Sequence, residues 1–400
     1  MAGRRSGAGP PRAGPIVFRA VLIANRGEIA RRIARACRQL GVRTIAVYSE
    51  VDAKAPYAAE ADEAVLIGPA PASHSYLDGA RIIKAAVASG ADAIHPGYGF
   101  LSEDWRFAEA CARAGLTFIG PSPDAIRRMG DKTEARRVMA AAGVPVLPGS
   151  PEPVKDAADA ERVAREIGFP VLLKAVHGGG GIGMAGVGEP AALAAAYAAA
   201  ARRAEAAFGQ SAIYVERYLD RPRHIEVQVF GDSSGALLHM HERECSIQRR
   251  HQKIVEESPA PNLAEGTRAG LTAAAVRGAR AIGYVNAGTM EFLVDAAGAF
   301  YFLEMNARLQ VEHPVTEEVT GLDLVHAQLR VAAGQRLSWR QEEIRVRGAA
   351  LECRIYAEDP ARNFLPSPGT ITALEWPAGA GIRIEAGVVA GSDVPVHYDP

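Results

Sequence analysis

Residues Ala287 to Thr316, AGTMEFLVDAAGAFYFLEMNARLQVEHPVT, constrain the fold more than any other stretch of the chain. Two runs rich in β-formers, Met290 to Val294 and Phe300 to Met305, flank a small turn at Ala296, Ala297 and Gly298. That pattern predicts an antiparallel hairpin. Glu291 and Glu304 are symmetric about the Ala297–Gly298 bond, so a two- or four-residue loop centred there sets them opposite each other on one face. Carboxylates held that close repel unless a cation lies between them. The neighbours Phe292, Leu293, Tyr301, Phe302 and Leu303 predict a buried sheet, where acids need partners or a metal. An all-oxygen pair suits Mg²⁺ or Mn²⁺, shared with phosphate and water. Polar residues then alternate: Glu304, Asn306, Arg308, Gln310, Glu312. If the chain stays extended, all five collect on one face. The competing account, a solvated edge strand, fits poorly with the apolar surroundings.

The chain has 400 residues, 48% of them hydrophobic, enough for two or three domains with their own cores. A formal net charge of −1 gives no general reason to expect nucleic acid or an anionic membrane as partner. The apolar runs are too short and Ala-rich to span a bilayer. Cys37, Cys111, Cys245 and Cys353 lie far apart without metal-site spacing, as reduced cytoplasmic thiols do. Cys245 sits among charged residues, where a structural role is favoured over a chemical one.

Met1 to Pro15, rich in Gly, Pro, Ala and Arg, reads as a disordered tail. Ala20 to Ala24 is a strand, Ile29 to Leu40 a helix stopped by Gly41, and Thr44 to Tyr48 the next strand, which opens a parallel sheet. The dinucleotide glycine fingerprint is missing from the first turn. Alternation continues through Ala64–Ile67, Ile82–Ala88, Ala93–His95 and Thr117–Ile119. HPGYGFLSE, His95 to Glu103, is either a ligand loop at a strand end or an ordinary tight loop. Pro and Gly from Gly143 to Gly149 mark a hinge or boundary. Val171 to Ala175 is a strand carrying Lys174, and His177 to Met184 is a glycine-rich turn. Its backbone N–H groups could close on phosphate oxygens with Lys174 as point charge, although the run lacks a Walker ending.

Ala191 to Ala207 is helical, and the strand Ile213 to Glu216 ends where Glu216 and the following backbone can face a purine. In His224 to Asp232, His224, Glu226 and Gln228 alternate with Ile225, Val227 and Val229, as expected of a sheet with one face on a core and one on a cleft. HERECSIQRRHQKIVEESPAP, His241 to Pro261, is either a solvated loop or the lining of an anionic substrate pocket; its density of mixed charge favours the pocket. Gly266–Ile282 and Leu322–Ala333 read as helices. Gly348 to Tyr356 reads as a strand with Glu352 and Arg354 on one face, followed by a β-rich segment from Phe364.

The motifs IANRGEIA, HPGYGFLSE, FIGP, MGDK, ERECSIQRRHQKIVEESPAP, EMNARLQVEHPVTE, ALECRIYAEDP and FLPSPG occur in order. With them the chain resembles the biotin carboxylases, the ATP-grasp components of biotin-dependent acyl-CoA carboxylases, from about Ile16 to its last residue. The resemblance implies an α/β and α+β chain. A Rossmann-like domain spans 16–128 after a tail at 1–15. An ATP-grasp domain spans 129–345 with a mobile lid at about 146–218, and an incomplete β-rich C-terminal domain spans 346–400. It implies that Lys132, Lys174, Gly180, Gly181, Glu216, Arg217, Tyr218, Leu219, His224, Gln248, His251, Glu291 and Glu304 contact ATP. Glu291, Glu304 and Asn306 would hold divalent metal, two Mg²⁺ or Mn²⁺ ions, and Lys253, Arg308 and Val311 would hold bicarbonate. Glu312 would take the bicarbonate proton, and Arg354 would steady the biotin enolate. The implied reaction makes carboxyphosphate from bicarbonate and ATP and then carboxylates biotin.

The chain has no Met-Lys-Met biotinylation motif. The resemblance therefore implies a biotin carboxyl carrier protein or domain and a carboxyltransferase subunit as partners, and leaves a homodimer open. His177 and Ile182 depart from the family pattern, Ile182 by lacking a phosphate-facing cation, and the chain stops inside the family's C-terminal domain. Those departures leave two alternatives, a catalytically impaired truncated subunit and a different ATP-grasp carboxylate ligase.

Overall fold

The computed structural model describes residues 18–175 and 184–398. The expected N-terminal tail and the glycine run with Gly180, Gly181 and Ile182 lie outside them. The first sheet is parallel, with strands β1 (Ala20–Ile23), β2 (Arg43–Ser49), β3 (Glu63–Gly68), β4 (Ala93–His95) and β5 (Thr117–Phe118) in the order β3-β2-β1-β4-β5. Strand order reverses between β1 and β4, which leaves a crevice at their carboxyl ends. Asn25, just past β1, donates from Nδ2 to the carbonyls of Pro96 and Tyr98, at 2.8 and 2.7 Å. Gly97 lets the loop come that close: its φ is +65° and an added Cβ would stand 2.8 Å from Asn25 Nδ2. The His95–Glu103 loop is therefore tied to the sheet, with Tyr98 carried towards the centre of the molecule.

A three-stranded antiparallel sheet follows, made of β6 (Val171–Ala175), β7 (Ala185–Val187) and β8 (Ile213–Arg217), with β6 in the middle. Helices Ala157–Ile167 and Pro190–Phe208 cover it and share its small core of Val163, Leu173 and Val215. The segment from Pro145 to Gly149 is pinned at both ends: Phe302 N donates to Pro145 O at 2.7 Å, and Gly149 bridges to Glu216.

The largest sheet is antiparallel: β9 (Arg223–Gly231), β10 (Leu237–Arg249), β11 (Gln252–Ser258), β12 (Asn286–Val294), β13 (Phe300–Asn306) and β14 (Ala350–Cys353), in the order β13-β12-β9-β10-β11-β14. The alternation expected in β9 is realised. Ile225, Val227 and Val229 enter the core with Met290, Phe292 and the helix Glu265–Ala281, while His224, Glu226 and Gln228 take the other face. The charge-rich stretch His241 to Pro261 is neither a loop nor merely a lining. It is most of a long hairpin, β10 and β11, turning at Arg250 and His251 in left-handed backbone at φ +51° and +66°. Its apolar residues are few because one face lies over an ion network and the outer end is in solvent.

The central hairpin forms, by a different route from the one expected. Val294 pairs with Phe300 and the turn is closed by Asp295 and Ala299, so the loop is odd-numbered and centred on Ala297. That register alone would set Glu291 opposite Leu303. A β-bulge between Glu291 and Phe292 takes up one residue and restores the pairing Glu291–Glu304. Bulges of this kind re-aim side chains beside active sites. The second expectation fails. The chain is extended only to Asn306; Arg308 and Gln310 lie in a turn, and Glu312 caps the helix His313–Thr320, which the alternation concealed.

Candidate functional site

The three sheets surround one cleft of about 1780 Å³. One wall is the three-stranded sheet, the other the cleft face of the six-stranded sheet, and the rim carries Glu28, in the first turn of the helix Gly27–Gln39, and Tyr98 of the His95–Glu103 loop. Of the expected residues, Lys132, Lys174, Glu216, Arg217, Tyr218, Leu219, His224, Gln248, His251, Lys253, Glu291, Glu304, Asn306, Arg308, Val311 and Arg354 all line it. Glu312 sits behind this wall, wholly buried, and is joined to the cleft lining by Lys253 and Arg354.

The floor is a dense ion network. Lys253 Nζ bonds Glu226, Glu291 at 2.7 Å and Glu312 at 2.7 Å. Arg243, fully buried, donates to Glu226 at 2.5 Å, to Gln228 at 2.8 Å and to Thr316 at 3.0 Å. Arg354 Nη2 donates to the other oxygen of Glu312 at 2.9 Å. Burial opposes ionisation of Glu312, but Lys253, Arg354 and Arg243 outweigh it and hold the carboxyl well below the usual range. Burial likewise opposes charge on Lys253, and Glu226, Glu291 and Glu312 reverse that, so the ammonium stays protonated far into alkali. Cys245, expected to be structural, is buried at the base of this network; desolvation and the charge of Glu226 push its thiol well up, so it stays protonated.

Arg308 does not follow a strand face. Its turn lets the guanidinium reach Asn306 at 2.8 Å, Gln310 at 3.0 Å and Glu103 at 2.7 Å. Glu103 also accepts from Ala307 N at 2.8 Å, so the glycine-punctuated loop positions the site. Glu291, buried, accepts from Asn306 Nδ2 at 2.8 Å and Gln310 Nε2 at 3.1 Å, and His224 Nε2 lies 2.9 Å from it as an ion-pair neighbour. Burial would keep His224 neutral, but Glu291 overrides it and raises the imidazole pKa.

Glu304 departs from the expectation of a buried acid: it opens on the cleft and is exposed. The enclosing walls and the charge of Glu291 raise its pKa, with Lys132 and Lys174 opposing. That facing pair of acids stands beside the oxygen of Asn306. An oxygen-only donor set of this kind fits a divalent cation of the Mg²⁺ type.

The end lined by the three-stranded sheet is looser. Glu216 lines the cleft with its carboxylate bonded to Arg136 at 2.5 Å and 3.7 Å from Lys174. Arg217, exposed Tyr218 and Leu219 continue the same wall. Burial lowers the pKa of Lys132, and Lys174 adds to the effect. Sequence reasoning assigns no separate role to Arg243, Arg136, Glu103 or Glu256, although Glu103 closes the candidate ligand loop and Glu256 lies in the stretch read as a candidate anionic pocket. Arg243 and Glu256 are polar residues at alternate positions in a β-rich run, a period that was legible; Arg136 and Glu103 carry no such signal.

A lysine-bearing three-stranded antiparallel sheet facing an acid- and arginine-lined antiparallel sheet defines an ATP-grasp ligase. Residues 17–126 match the family described as "Biotin carboxylase, N-terminal domain", residues 131–340 "Carbamoyl-phosphate synthase L chain, ATP binding domain" and residues 352–400 "Biotin carboxylase C-terminal domain". The chain is 55% identical to biotin carboxylase 2 of Bacillus subtilis (strain 168), over 96% of this chain and 86% of that one. Its fold is similar to a Campylobacter jejuni biotin carboxylase solved with a β,γ-ATP compound (51% identity, TM-score 0.91, 95% and 85% of the two chains). It is also similar to the biotin carboxylase domain dimer of Hydrogenobacter thermophilus 2-oxoglutarate carboxylase, solved with MgADP, ADP and bicarbonate (49% identity, TM-score 0.90, 96% and 84%). The chain belongs to the biotin carboxylase family. It is an ATP-dependent ligase that carboxylates biotin. No helix among the described residues is long and apolar enough to cross a membrane.

Proposed function

We propose that this cleft activates bicarbonate with ATP and passes the carboxyl group to biotin, with Glu312 as base. The supporting observation is the shared set of cations around Glu312: Lys253 at 2.7 Å and Arg354 at 2.9 Å, with Arg308 on the adjoining turn. Held so low, Glu312 is ionised but a weak base. Bicarbonate bound by Lys253, Arg308 and the backbone at Val311 draws their charge to itself, which opens access to Glu312 and raises its basicity. Glu312 then takes the bicarbonate proton. The freed oxygen attacks the γ-phosphorus of ATP, the bond to the β-phosphate oxygen breaks, and ADP leaves. Carboxyphosphate separates into CO₂ and phosphate; the phosphate removes the N1 proton of biotin and N1 attacks CO₂. Arg354 faces the ureido oxygen, where negative charge develops.

Lys132, Lys174, Gly180, Gly181, Arg217 to Leu219, His224, Gln248 and His251 serve ATP. Glu216 serves it indirectly, by fixing Lys174. Glu291, Glu304 and Asn306 would hold two Mg²⁺ or Mn²⁺ ions, whose chemistry is to neutralise the phosphate charge. Domains at 16–128, 129–345 and 346–400, with a lid at about 146–218, account for these positions. Biotin arrives on a carrier protein or domain, a carboxyltransferase consumes the product, two copies can pair, and the cytoplasm is the expected compartment. A different carboxylic acid substrate is disfavoured because Lys253, Arg308 and Arg354 all line the cleft in front of Glu312, and an impaired subunit because Lys253 and Arg354 both engage Glu312. The test is phosphate release with free biotin, with and without bicarbonate. Release that requires bicarbonate and rises with biotin is expected; full release without bicarbonate overturns the proposal.

A further inference from the structure

Strands β11 and β14 pair so that Glu256 stands directly opposite Glu352. Like charges in that position are destabilising. Glu256 is fully buried behind the cleft wall, while Glu352 is half-buried and lines it. Among the described residues the cation acting on both is Arg354, which is also committed to Glu312. Arg354 Nε lies 2.7 Å from Glu256, yet the contact is badly aligned: among the described residues neither Glu256 oxygen, nor Oε2 of Glu352, receives a directed hydrogen bond. Other charged and titratable groups relieve them only in part. Glu312 and Glu226 raise Glu256 further, while Glu352 is raised by Glu312 and lowered by Arg243. Arg243 is occupied by Glu226, and Tyr98 lies near Glu352 with its hydroxyl on Glu28. Were Glu256, Glu312 and Glu352 all ionised, Arg354 would lie among three carboxylates, and its positive field at the ureido oxygen would be weakened.

We propose that Glu256 and Glu352 are positioning residues for the biotin step: the facing pair retains a proton, which leaves Arg354 its positive field and orients it to the cleft. The inference rests on the biotin role of Arg354 above. Burial, reinforced by the neighbouring acids and opposed by Arg354, lifts Glu256 to about 7 and Glu352 to about 8. Such a pair titrates as a unit. It is protonated on the acid side and ionises as pH rises through that window, so the field of Arg354 weakens in alkali.

The test compares wild type with Glu256→Gln/Glu352→Gln, whose amides imitate the protonated pair. The ratio of variant to wild-type kcat/KM for free biotin is expected to climb several-fold from below pH about 7 to above about 8, while the same ratio for ATP stays flat. A flat ratio for biotin overturns the proposal. Infrared difference spectra read the proton directly. A protonated carboxyl band should be present in wild type on the acid side, lost on the alkaline side, and missing from the double variant. Its absence from wild type also overturns the proposal. If the double variant fails to fold, Glu352→Gln at the half-buried position decides it: the Glu256 band must move to lower pH, and an unmoved titration refutes the pair. Should wild type show no biotin-stimulated ATP cleavage, the functional reading falls, while the infrared titration still decides whether the pair holds a proton.

Discussion

The two ends of the cleft are built on opposite terms. At the floor, Lys253, Glu226, Glu291, Glu312, Arg243 and Arg354 are buried or nearly so and bonded to one another. At the end lined by the three-stranded sheet, Lys174 is 3.7 Å from Glu216, and Lys132 has its pKa lowered by burial and by that neighbouring cation. The floor packs acids and cations in direct contact, whereas at this end two lysines stand close enough for one to oppose the charge of the other. A small, hydrated anion such as bicarbonate offers little binding energy, so its site must be organised in advance. A triphosphate brings several charges and can organise looser groups around itself.

The largest effect should come from Glu312→Gln. Loss of a general base predicts a fall of roughly 10²–10⁴-fold in bicarbonate-dependent phosphate release; a loss of less than about tenfold would remove Glu312 from that role. Lys253→Met tests the self-sufficient floor. It strands three buried acids, and removing one partner of a buried ion cluster costs about 3–5 kcal/mol, readable as a lowered urea midpoint. Lys174→Met tests the ligand-completed end. It should change stability by no more than about 0.5 kcal/mol and raise KM for ATP about tenfold, the loss of one charge-assisted contact. If Lys174→Met destabilised as much as Lys253→Met, the contrast between the ends would be wrong.

The smallest effect is on the pH dependence of stability. The Glu312 pKa is depressed in the folded state, so its contribution is fully present above the unfolded value of about 4.5 and is lost as pH falls below it. Glu312→Gln should therefore flatten the acid limb of stability against pH; an unchanged limb would mean that Glu312 is not held ionised by its neighbours.

The hairpin from Asn286 to Asn306, the alternation of β9 and the parallel start of the chain were legible because each rests on a local period of apolar residues. The pairing of Glu291 with Glu304 was foreseen for an incomplete reason. Symmetry about a turn identifies the partners, but the loop is odd and only a bulge, set by how β12 packs between β9 and β13, corrects the register. Alternation from Glu304 to Glu312 suggested one extended face. The chain instead turns after Asn306, because Pro314 at the start of a helix and the anchoring of Ala307 and Arg308 by Glu103 favour a cap there.

The sequence by itself determined which residue types were available: paired acids on β-formers, glycines at turns, and a charged run with β-period. These are consequences of side-chain chemistry and local backbone preference. Only the tertiary structure decided that Glu312 is buried and bound by two cations, that Glu304 opens to solvent, and that Glu256 and Glu352 share one guanidinium. Burial and distance set the strength of every charge interaction, and neither is a property of neighbouring positions in the chain.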